Sequence, residues 1–167
     1  MVLFYNIWFV LIKKRNFIMF GLYMSIILFN VVAFKTNKSL AAKQIAHIWT
    51  FTIAFQSSFD IYIDIKYHAY WYFEKAVDWN SLPAHLVLLP PINTMFLSWY
   101  PLHSPLLKQI RYFFYWEITL LIYEFITLLP EPWGYFYYGW WHLGYSAVLN
   151  PVLLIILLLY FKKFIKE

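Results

Sequence analysis

The chain has 167 residues, of which 63% are hydrophobic and only 13% charged, with a mean hydropathy of +0.59. Soluble domains run near 45–50% apolar and about 25% charged, so the composition points away from a soluble domain and toward a bilayer. The net charge of +5 lies in short basic clusters between apolar runs, and the chain has no Cys, which removes disulfides, thiolate metal ligands and a Cys nucleophile. A basic stripe of the kind that binds nucleic acid is missing, so no nucleic-acid partner is expected; lipid headgroups are the natural counter-charge.

In chain order, the first apolar stretch, Val2–Ile12, is too short to span and is closed by Lys13, Lys14 and Arg15. Residues 1–16 therefore read as an apolar and basic lead-in, and an uncleaved first span is favoured over a signal peptide because the next run exceeds the usual apolar length of one. A helix needs about 20 residues to cross the hydrocarbon core. Five segments of residues 17–167 approach that length: 17–34, 45–63, 82–100, 110–129 and 141–161. The fold expected is all-α, a polytopic transmembrane bundle of five spans. Pro90-Pro91 and Asn150-Pro151 fall inside the third and fifth segments and predict mid-span kinks.

Basic residues in the connecting segments alternate. Placing 35–44, 101–111 and the C-terminal tail in the cytoplasm puts most Lys and Arg inside, with the N-terminus outside. The Lys13–Arg15 cluster votes the other way. On the outer side, the aromatic stretches around Tyr67, Tyr70–Phe73 and Trp79, and again from Tyr135 to Trp141, read as belts lying along the membrane interface.

Carboxylates inside a span cost about 2.5–3.5 kcal/mol each on insertion scales, so their positions carry information. Gln56, Asp60 and Asp64 recur every fourth residue and form one polar stripe on the second segment. Glu117 and Glu124 share a face of the fourth, about 10 Å apart along the axis. His85 opens the third segment and His142 the fifth, both at the outer end. The candidate intramembrane polar site is therefore Gln56, Asp60, Asp64, His85, Glu124 and His142. The plainer reading is that these groups pair with Tyr, Trp or Gln donors and hold helices together. No local ligand spacing of the zinc kind occurs, and no G-x-S-x-G, H-E-x-x-H, P-loop or Rossmann glycine pattern is present, so no metal, cofactor or catalytic residue is expected. Asp60-x-x-x-Asp64 stands alone, without the second aspartate motif of intramembrane prenyltransferases or the Gly and Arg partners of lipid-head phosphotransferases.

Several landmarks occur in a fixed order. They are Phe55 to Tyr67, with Gln56, Ser57, Asp60 and Asp64; Tyr70 to Phe73; Val77-Asp78-Trp79; Tyr123-Glu124; and Trp140-Trp141-His142 followed by Tyr145-Ser146. Together they resemble a family of small five-span membrane proteins of Bacillus-like spore-forming bacteria. The resemblance runs from about residue 17 to the end, and members carry a Pro near Pro90 or Pro91 and another near Pro151. It implies a cell-membrane location and five spans, and it implies no reaction, because no activity is assigned to the family. Where His142 stands, members often have Lys or Trp, which argues against an essential ligand there.

Three functions are open to such a chain. A non-enzymatic accessory or assembly component of the envelope, partnered by lipid and by other membrane proteins or copies of itself, fits the small size and absent motifs best. A small oligomeric transporter or channel subunit would use Asp60 and Glu124. A lipid-active enzyme would use the outer carboxylates and imidazoles.

Overall fold

The computed structural model describes residues 19–75 and 78–165. The lead-in Val2–Ile12, the Lys13–Arg15 cluster, Val77 and Lys166 fall outside the described residues.

The fold is mostly helical, and each of the five predicted segments forms a rod. Helix α1 covers Phe20–Thr36. Helix α2, Ala42–Phe51, runs through a π-helical turn at Thr52–Ser57 into α3, Ser58–Tyr67, as one continuous rod. A second π-helical turn, Ala84–Leu88, leads into α4, Leu89–Trp99. Helix α5 is Leu106–Thr127, and α6, Leu143–Tyr160, is extended by a π-helical turn at Phe161–Ile165. One helix among the described residues, Leu143–Ile165, is long and apolar enough to cross a membrane; α1 is apolar but shorter.

The departure from all-α is a pair of three-residue strands. β1, Tyr70–Tyr72, pairs antiparallel with β2, Phe136–Tyr138, in the register Tyr70 to Tyr138, Trp71 to Tyr137 and Tyr72 to Phe136. Alternation sends Tyr70, Tyr72, Phe136 and Tyr138 to one face of the pair. The belt reading holds for part of these stretches: Tyr70, Tyr72 and Tyr135 are buried, while Tyr67, Trp79 and Trp140 are exposed and the other rings are half-buried. The chain reaches β1 through His68 in the left-handed region (φ 47°), which ends α3 abruptly. Gly139 lets the returning strand approach closely, because a Cβ there would sit 2.3 Å from the His68 carbonyl oxygen.

Helix α4 is the axis of the bundle. Residues Pro90 to Leu97 are all buried, packed by α1 and α2 on one side. On another side the Phe96 ring meets Tyr112, Phe113 and Trp116 of α5. Pro90 and Pro91 sit in the first turn of α4, directly after the π-helical turn and near the middle of the rod that the third segment forms. Their missing N–H groups fall where the π-helical turn hands over to the α-helix, which accommodates them. Pro151, by contrast, lies inside α6 as expected.

The two ends of the bundle differ. At one, Ser39 Oγ donates to the Ser98 carbonyl at 2.9 Å, Gln44 Nε2 donates to the Ile165 carbonyl at 3.1 Å, and Lys162 Nζ lies 5.9 Å from the Tyr100 ring centre. These contacts gather the segments bearing Lys35, Lys38, Lys43, Lys108, Arg111, Lys162 and Lys163. The strand pair closes the other end. There Gly21 N donates to the Pro132 carbonyl at 2.9 Å, so α1 begins against the turn before β2.

Candidate functional site

The site is built where the strand pair meets α3, α4, α5 and α6. Asp60, one turn past the π-helical turn, accepts from two tyrosines of β1. Tyr70 donates to Oδ1, and Tyr72 donates to Oδ2 at 3.0 Å. Burial is the main reason both phenols are held well above their usual pKa, and the charge of Asp60 adds to it. They therefore keep their protons and serve as donors.

His85, almost wholly buried, reaches the same carboxylate. Its Nδ1 lies 3.0 Å from Asp60 Oδ2, yet off the line a hydrogen bond needs, so that nitrogen has no directed partner. The distance describes a charge contact available to a protonated ring, and the angle denies it the status of a full hydrogen bond. The Tyr72 ring packs edge-on to the imidazole, centroids 5.0 Å apart, and the His85 backbone carbonyl accepts from Ser57 Oγ at 2.9 Å.

Glu124 on α5 has a parallel set of partners. Tyr138 of β2 and Ser146 of α6 both donate to Oε1, each at 2.5 Å, and Ser146 in turn accepts from Trp141 Nε1 at 2.9 Å. The Tyr138 phenol is also pushed up, by burial first and by Glu124 second. Beside Glu124, the hydroxyls of Tyr123 and Tyr135 are hydrogen-bonded to each other.

Asp60 and Glu124 line one cavity of about 170 Å³. Its walls also include Gln56, Asn93, Tyr70, Tyr72, Tyr135 and Trp141, with Leu and Ile side chains of α4, α5 and α6 below them. Gln56 Oε1 accepts from Asn93 Nδ2 at 2.5 Å, and the same amide donates to Thr52 Oγ1 at 2.9 Å. A polar ladder thus runs from Asp60 of α3 through Gln56 and Thr52 of the π-helical turn, with Asn93 of α4 bonded to both. A second descends α5, where Asn150 donates to Glu117 Oε1 at 3.4 Å while Glu117 Oε2 is buried without a partner.

Of the six residues the sequence nominated, Gln56, Asp60 and Glu124 line the cavity and His85 touches it through Asp60. Asp64 and His142 do not join them. Asp64 lies one helical turn beyond Asp60, close enough to feel the charges of Asp60 and His85, but it does not line the cavity. His142 is exposed and caps α6, its Nδ1 accepting from Gly144 N at 3.1 Å. No group of three or more His, Asp or Glu side chains poised to hold a metal occurs among the described residues.

Tyr70, Tyr72, Tyr138, Ser146 and Asn93 were not nominated. Tyr70–Tyr72 and Phe136–Tyr138 are residue types that favour strands, but three residues give no period to read, and nothing local marks Ser146 or Asn93. Comparison of the chain with protein-family models, with curated proteins and with solved structures returns no match.

Proposed function

We propose that the chain is a five-span integral membrane protein, N-terminus outside and C-terminus cytoplasmic, that serves as a non-enzymatic accessory or assembly component of the cell envelope. The carrying observation is the placement of polarity. Asp60 and Glu124 turn inward onto tyrosine donors, while Ile110, Phe114, Ile118, Ile122, Phe125 and Leu129 form an exposed stripe along α5. At 22 residues and about 1.5 Å per residue, α5 matches a hydrocarbon core of about 30 Å. Met24, Ile27, Val31 and Phe34 on α1, and Val148, Val152, Ile155 and Leu159 on α6, continue the apolar exterior. Soluble monomers rarely expose apolar surface on this scale, and lipid is the solvent that tolerates it.

Orientation is supported by the grouping of Lys35, Lys38, Lys43, Lys108, Arg111, Lys162 and Lys163 at the end opposite the strand pair. The accessory role is supported by the bonding of the carboxylates, whose tyrosine donors tie the strand pair to α3 and α5. The resemblance to small membrane proteins of spore-forming bacteria points the same way.

Reporter fusions after residue 40, after residue 106 and at Glu167 should read cytoplasmic, and fusions at Asp78 and Gly134 external. An external reading at Glu167 would overturn the orientation. Recovery of a defined membrane partner in mild detergent is the expected result for the accessory role; isolation as a lone monomer with turnover would end it. A second reading, a subunit of a small oligomeric transporter, is favoured by the cavity between Asp60 and Glu124. Flux of an ion or proton in proteoliposomes is the measurement that separates the two.

A further inference from the structure

We propose that the cavity between Asp60 and Glu124 is a binding site for a phosphate-free organic cation, an ammonium carried on a short apolar body. The ammonium would sit between the carboxylates under the aromatic strand pair, and the body would lie on the leucine floor. This goes beyond the membrane role and requires only the cavity; failure of the topology would appear in reporter fusions, and failure of the ligand in the binding assay below.

Size comes first. A space of about 10–15 Å³ admits one water, so a cavity of about 170 Å³ takes an organic molecule of several heavy atoms. Charge comes next. Two carboxylates line the cavity and none of its lining residues is Lys or Arg. Among the described residues, His85 is the only charge partner of Asp60, and Glu124 has none. Anions are repelled by such a site, and a cation supplies the compensation that a carboxylate in a low-dielectric setting lacks.

Unused bonding capacity is the third observation. Both donors to Glu124 converge on Oε1, and Oε2 carries no hydrogen bond among the described residues. A carboxylate offers about four acceptor positions, so the occupied oxygen does not close the site. The aromatic rings of Tyr70, Tyr72, Tyr135 and Trp141 around the carboxylates are the surroundings in which ammonium groups are held through ring faces. Leu120, Leu149, Leu153 and Leu154 also line the cavity and offer surface on which the apolar body of a ligand can lie. A phospholipid headgroup would bring its phosphate toward the same carboxylates with no basic residue to receive it.

The test is isothermal titration of the full chain in dodecylmaltoside micelles, which contain no ammonium, with hexylammonium as probe and empty micelles as background. Hexanol and hexanoate, of equal chain length, are the controls. Saturable hexylammonium binding is expected, with no hexanoate binding and far weaker hexanol binding. The double variant D60N/E124Q should weaken it about tenfold or more. Leu153→Trp, which fills the floor and leaves the carboxylates in place, should weaken it too, and it decides the matter if the double variant does not fold. Added short-chain phosphatidylethanolamine should not displace the probe. Absence of saturable binding, equal binding of hexanol, or unchanged affinity in Leu153→Trp or in a folded D60N/E124Q would overturn the site. Displacement by phosphatidylethanolamine would overturn the choice of a phosphate-free cation.

Discussion

Tyr70 and Tyr138 face each other across the two strands, and each donates to a carboxylate on a different helix, Tyr70 to Asp60 on α3 and Tyr138 to Glu124 on α5. The strand pairing thereby joins two latches, one from β1 to α3 and one from β2 to α5, although the strands are far apart in the chain. Removing either hydroxyl opens one latch. Because each bond goes to an ionisable acceptor, Tyr70→Phe or Tyr138→Phe should cost about 1.5–3 kcal/mol of stability. Thermal unfolding of the detergent-solubilised protein reads this directly. A cycle of Tyr138→Phe with Glu124→Gln should show coupling, and strict additivity would mean that the bond does not contribute.

Close backbone approach supplies a second prediction. A Cβ on Gly21 would lie 2.1 Å from the Trp133 carbonyl oxygen, a backbone atom with little freedom to move. Gly21→Ala should therefore cost about 1–3 kcal/mol, as overpacking generally does. At Gly144 the nearest atoms belong to the His142 ring, at 2.9 Å, which can rotate away. Gly144→Ala should be milder in the same unfolding measurement. Equal effects at the two positions would contradict the packing of α1 against the turn before β2.

The five helical segments were legible because each is a largely apolar run bounded by charge, proline or turn residues, long enough to outweigh the polar residues and prolines inside it. The strand pair was not. Three residues are too few to display a period, and Tyr70–Tyr72 and Phe136–Tyr138 have the composition of an interfacial belt, so tertiary pairing decided between two locally equivalent outcomes. Asp60 and Glu124 could be matched in depth from residue counts alone, but their shared cavity depends on which helices are neighbours. The i, i+4, i+8 stripe carries Gln56 and Asp60 into the cavity wall and leaves Asp64 outside it, within electrostatic reach of Asp60 and His85. His142 was nominated for its residue type, and its backbone position as a helix cap determines what it does.

Exposure on α5 gives a third prediction. Ile122 is 57% exposed, next to the inward-facing Tyr123 and Glu124. In a bilayer, Ile122→Lys should cost about 2.5–3.5 kcal/mol at mid-depth and lower the amount of protein inserted. In water the same change at an exposed position would be nearly silent. Parent-like membrane abundance of Ile122→Lys would count against lipid contact along α5.

The last prediction separates the latch from the charge. Asp60 accepts from Tyr70 and Tyr72, and Glu124 from Tyr138 and Ser146. Asp60→Asn and Glu124→Gln retain a carbonyl acceptor in place, and the new amide can donate to a hydroxyl oxygen that turns to receive it. If these residues act as latches, the two variants should keep membrane abundance and detergent stability near the parent. Asp60→Ala and Glu124→Ala leave hydroxyls buried without acceptors, which costs about 1–3 kcal/mol for each stranded group. Abundance should fall in both Ala variants, because each strands two hydroxyls, those of Tyr70 and Tyr72 in Asp60→Ala and those of Tyr138 and Ser146 in Glu124→Ala. Should Asn and Gln abolish the protein's phenotype at parent abundance, the negative charge itself would be required, and structural latching alone would not account for the carboxylates. If all four variants behave like the parent, the strand pair is held by aromatic packing, and the hydroxyl–carboxylate bonds add nothing to it.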